Sequence, residues 1–137
     1  MRREFMVLVA IFCSQTAFAE ESLCLSKYKI LSNQFYVYNE KSAVSNAIMD
    51  RIAAYTDGVD VHKIHPVEAK AWRVAIEEFV VIGQPMLQNL LEYKAIGCSP
   101  DQQIQINNQI SKITEDLKIA RARLNALISG LPASTFQ

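Results

Sequence analysis

Apolar residues recur along this chain at spacings of three and four, and the rhythm is cleanest near the end. Ile106, Ile110, Ile113, Leu117, Ala120, Leu124 and Leu127 follow a strict 4-3-4-3-4-3 pattern. A helix turns about 100° per residue, so such a pattern holds one apolar stripe on one face, as in a coiled coil or long bundle. Asn107, Asn108, Gln109, Lys112, Glu115, Asp116, Arg121 and Arg123 occupy the other faces. The spacing predicts a helix from Pro100 to Ser129, ended by Gly130-Leu131-Pro132.

The same rhythm runs through Trp72, Ile76, Phe79, Gly83, Met86, Leu90 and Tyr93. It predicts a second helix that opens at His65-Pro66-Val67-Glu68, with proline at its first position, and runs to Ile96. Gly83 and Pro85 fall inside it; proline removes a helical hydrogen bond, so a kink is expected near Val81 to Pro85. Val74, Val80, Val81, Ile82, Leu87 and Leu91 lie off the seam. That is more apolar surface than three helices readily cover, and exposed apolar surface marks interfaces.

Ser22 to Thr56 carries two stripes that do not align. Leu25, Tyr28, Leu31, Phe35 and Tyr38 form one, and Val44, Ile48, Ile52 and Tyr55 the other. The offset between them, at Asn39-Glu40-Lys41-Ser42, predicts a bend, a break or a change of packing partner. Asp57-Gly58 stops this helix, and Val59 to His65 connects it to the next.

The corner Ile96-Gly97-Cys98-Ser99-Pro100-Asp101-Gln102 fixes the topology. Gly97 suits the left-handed conformation that ends helices. Ser99, with Gln102 three residues on, reads as a capping box, and Pro100 as a first helical residue. A reversal this short makes the flanking helices antiparallel. The expected fold is all-α: an elongated up-down-up three-helix bundle with a kinked second helix.

Composition changes the picture at the N-terminus. Arg2 and Arg3, the apolar run Met6 to Cys13 and the small-x-small triplet Ala17-Phe18-Ala19 read as a secretory signal spanning 1–19. The apolar run is too short to span a bilayer, which needs about 20 residues. Cleavage before Glu20 leaves 118 of the 137 residues: a bundle domain over 20–132 and a short flexible tail over 133–137. It also removes Arg2, Arg3 and Glu4, turning a neutral chain into one of net charge −1. No basic excess remains to hold nucleic acid or anionic lipid. The expected product is exported to the periplasm or beyond, with no membrane anchor once the signal is gone.

Cys13 leaves with the signal, and an exported chain with two remaining cysteines is expected to join them. Cys24 lies at the base of the ascending first helix and Cys98 where the second reverses, at the same base. The two are therefore expected to form a disulfide.

Candidate chemistry is thin. His62-x-x-His65 with Asp60 offers ligand types suited to zinc, although the spacing matches no closed structural zinc pattern. No serine sits in a nucleophile elbow, and the adjacent acids Glu77-Glu78 and Glu115-Asp116 point about 100° apart. The expectation is an exported, non-enzymatic protein-binding protein, with no catalytic residue and no cofactor. An inhibitor or immunity-type protein, or an accessory subunit of envelope machinery, fits that description. Val80, Val81, Leu87, Tyr36, Asp57 and His62 are the candidate contacts with a protein partner in the cell envelope. Two alternatives stand beside it: a small-ligand or metal carrier using the loop or a cavity near Gly83 and Pro85, and a coiled-coil homo-oligomer built on the third helix.

Overall fold

The structure, a computed structural model, describes residues 18–56 and 58–137, with side chains from residue 21 onward. The signal segment up to residue 17 and the turn residue Asp57 lie outside the described residues. Three long helices follow one another: α1 (Phe18–Thr56), α2 (Pro66–Ala95) and α3 (Gln103–Gly130). Among the described residues there is no strand. The architecture is the expected three-helix bundle.

α1 is continuous through Asn39 to Ser42 over 39 residues, about 58 Å at 1.5 Å per residue. Its buried seam does not shift. Cys24, Tyr28, Leu31, Phe35, Tyr38, Ser42, Ser45, Met49, Ile52 and Thr56 alternate four and three without interruption, each buried or half-buried. The expected second stripe is therefore corrected: Ile48 and Ile52 are buried, but Val44 and Tyr55 face outward. Small polar residues hold the seam where aliphatics were expected. Thr56 is tolerated there because its hydroxyl donates to the Ile52 carbonyl at 2.8 Å.

α2 buries all seven expected seam positions and runs without interruption through Gly83 and Pro85. It packs closely against α1 on one side and α3 on the other, whereas the α1 and α3 backbones stand further apart. Gly83 marks a close approach of all three helices. A Cβ there would lie 2.7 Å from Leu117 Cδ2 and 3.4 Å from Tyr38 Cε2. The glycine lets side chains from both neighbouring helices close onto α2, so no cavity opens at this position, contrary to the carrier expectation.

The corner after α2 is built by backbone. Cys98 N–H donates to the Tyr93 carbonyl at 3.2 Å and Gly97 N–H to Lys94 at 3.0 Å, with Gly97 at φ 84°. These two bonds are a Schellman stop, which needs the left-handed glycine. The capping box does not form. Ser99 itself adopts φ 52°, and its buried hydroxyl pairs with the Tyr93 hydroxyl at 2.8 Å rather than capping α3. α3 begins instead through a short 3-10 turn at Pro100–Gln102.

Cys24 and Cys98 are bonded, with Cα atoms 5.7 Å apart and a sequence separation of 74. Closing a loop that long removes about 4.5 kcal/mol of unfolded-state freedom. Beside it, Lys27 on α1 pairs with Glu92 on α2 and holds that carboxyl below its usual range. At the other end, Val61 packs onto Gly130, whose missing side chain makes room for it. Residues 133–136 form a 3-10 turn rather than a loose tail; Phe136 is half-buried under the Arg73 guanidinium, 4.8 Å from its ring centre.

Candidate binding surfaces

Three places were candidates for function: the α1–α2 loop, the space between helices and the outer apolar surface of α2. In the loop, Asp60 caps the 3-10 turn Val61–Lys63, accepting from the His62 backbone N–H at 3.1 Å. Its carboxylate also lies 3.8 Å from Lys63 Nζ. The His65 ring stacks on Tyr55 at 4.3 Å and 16°, while its backbone N–H donates to the Tyr55 hydroxyl at 3.2 Å. His62, His65 and Asp60 thus serve turn geometry. Among the described residues no group of three or more such donors is gathered to hold a metal.

Between α1 and α3, where the backbones diverge, lies a cleft of about 250 Å³. Ile76 and Phe79 of α2 form its floor, Ser42, Ser45 and Asn46 one wall, and Lys112, Asp116 and Arg123 the other. Tyr38 spans the gap at its edge, donating to Asp116 Oδ2 at 2.6 Å. Lys112 donates to the same oxygen at 2.7 Å, so this carboxylate is held from two sides. Burial, reinforced by the adjacent carboxylate, pushes the Tyr38 phenol far above its ordinary range. The phenol therefore acts as a fixed donor that braces α1 against α3.

The outer surface is apolar. Val67 is 82%, Val74 49% and Val81 67% exposed, at intervals of seven on one face of α2. Successive positions seven apart differ by about 20°, so all three lie within about 40° of one another, opposite the buried stripe. Val44 of α1 adjoins them across a shallow groove of about 480 Å³ floored by Ile48, Ala71 and Ala75. A second hollow of about 300 Å³ continues it past Val74 to Val81 and Ile82. The Lys41–Glu78 ion pair at 2.9 Å crosses between the two.

Of the expected contacts, Val81 belongs to this strip, and Tyr36 is exposed on α1. Val80 and Leu87 are half-buried against the core and His62 is exposed in the loop; Asp57 lies outside the described residues. Val67 was missed, and Val74, although named among the off-seam residues, was not among the expected contacts; their sevenfold spacing with Val81 was visible in the sequence. The heptad stripe of α3 packs against α2, with Ile106, Ile113, Leu117 and Leu127 at 0–1% exposure, so it is closed to an intermolecular coiled coil.

Comparison of the chain with protein-family models, with curated proteins and with solved structures finds no match. Among the described residues, no helix is long and apolar enough to cross a membrane.

Proposed function

We propose that this is an exported, non-enzymatic binding protein that presents the outer α1–α2 face to a helix of a protein partner in the cell envelope. One observation carries this reading: Val67, Val74 and Val81, heptad-spaced and exposed, beside a groove extended by Val44. A helix lays its apolar positions into such a groove at spacings of three, four and seven. Export is supported by the signal-like segment 1–19 and by a disulfide of the kind that persists in oxidising compartments. The cleft between α1 and α3 favours a second reading, a small-ligand carrier, with the site at Ser45 and Arg123 rather than at Gly83.

The test is site-specific photo-crosslinking in envelope extract from position 74, from position 81 and from Asn108 on the polar side of α3. The expected outcome is a discrete adduct from 74 and 81 and none from 108. Equal labelling from all three, or none from 74, would overturn the proposal. Native mass spectrometry of the purified protein separates the second reading, which requires a copurified small molecule.

A further inference from the structure

We infer that the helix covering the outer face of α2 is α2 of a second copy of this chain, packed antiparallel about a two-fold axis at Val74. The inference rests on the reading of that face as an interface and adds the identity of the occupant. Its warrant is self-complementarity, which a two-fold interface requires. An axis through Val74 brings each position before it level with the position equally far after it. Val67 then meets Val81 of the other copy, and Val74 meets Val74. Lys70, four residues before the axis, comes level with Glu77 and Glu78, three and four residues after it. Lys70 Nζ donates to the Gln137 main-chain oxygen at 3.3 Å, and no carboxylate side chain lies within ion-pair distance of it among the described residues. A parallel partner would instead set Lys70 beside Lys70 and the glutamates beside each other. Only the antiparallel arrangement matches apolar to apolar and cation to anion along the whole strip.

The groove beside α2 fits the same occupant. Val44 and Ile48 extend the apolar surface toward α1, so each α2 also enters the α1–α2 groove of the other copy. Two α1–α2 pairs facing each other in this way make an antiparallel four-helix layer, a familiar solution for helices with a second apolar stripe. Glu77, on the same flank of the strip as Lys70, keeps Arg73 at 2.7 Å and gains Lys70 across the seam, while Glu78 on the other flank keeps Lys41 at 2.9 Å.

Cysteine crosslinking of the full exported chain, with the native disulfide retained, distinguishes the geometries. Under mild oxidation V74C is expected to link to itself. V67C and V81C are each expected to link poorly alone but well to one another when mixed. Sedimentation equilibrium is expected to show a dimer that K70E weakens roughly tenfold and that K70E/E77K restores, because both symmetric ion pairs are reversed and then remade. A monomer at every accessible concentration overturns the inference, as does a K70E variant with unchanged affinity. Self-linkage of V67C exceeding that of V74C does so too, since it signals a parallel pairing. If the chain is monomeric and a photo-crosslinker at 74 still captures another protein, the identity of the occupant fails while the binding face stands. If position 74 captures nothing, both fail.

Discussion

α2 has two apolar faces of opposite fate. The inner one, from Trp72 to Tyr93, is 0–6% exposed and touches both neighbouring helices. The outer one, Val67, Val74 and Val81, is 49–82% exposed and touches neither core. Hydrophobicity alone does not separate them. What does is size and shape: the inner face carries Trp, Phe, Met, Leu and Tyr around a glycine that lets α1 and α3 close in. The outer face carries only valines, with charges beside them. Large irregular side chains fit one unique set of neighbours, whereas a flat valine strip suits association with a regular helix. One face determines the fold, and the other is free to bind.

Breaking that contrast should have graded effects, each measured by urea unfolding at low concentration. Removing the disulfide that pins the inner face at its base, with C24S/C98S, is expected to cost about 4 kcal/mol. Leu90→Ala, at a fully buried inner position, should cost about 3 kcal/mol, and Val81→Ala on the outer face less than about 0.5 kcal/mol. Similar losses at both would erase the distinction. Tyr38→Phe, which cuts the brace from α1 to Asp116, should cost about 1.5 kcal/mol.

The same brace gives a pH signature. Burial raises the phenols of both Tyr38 and Tyr93, so the unfolded chain releases these protons first, near the ordinary value of about 10. Their contribution is complete below that pH and lost as pH rises above it. The fall in stability between pH 10 and 11 should be shallower in Tyr38→Phe. Gly83→Ala is expected to cost about 1 kcal/mol, less than Tyr38→Phe but more than Val81→Ala, because a clash with Leu117 outweighs the better helix propensity of alanine.

Much of this fold was legible because its seams are periodic. Every expected inner position of α2 is buried, and in α3 five of seven are buried with Ile110 and Leu124 half-covered. The disulfide followed from two cysteines left in an exported chain and a topology that brings them to one end. The second half of α1 was misread because Ser42, Ser45 and Thr56 occupy core positions that a hydrophobic pattern cannot register. Val44 and Tyr55 took their place in the reading, yet one lines the outer groove and the other stacks on His65. Ser99 was misassigned for a related reason: the local capping rule lost to Tyr93, which supplies a buried hydroxyl partner. The α1–α3 cleft carried no sequence signal, since it arises where two helices separated by the whole of α2 diverge.

The most direct measurement is the thermal midpoint of wild type and of Val74→Asp, taken side by side over a wide range of protein concentration. Binding between folded chains stabilises them by mass action. The wild-type midpoint is therefore predicted to rise with concentration, while Val74→Asp stays level and matches wild type in the dilute limit. A wild-type midpoint independent of concentration would contradict a second copy as the occupant of the outer face, and a variant less stable than wild type even at the highest dilution would contradict the division of α2 into a folding face and a binding face.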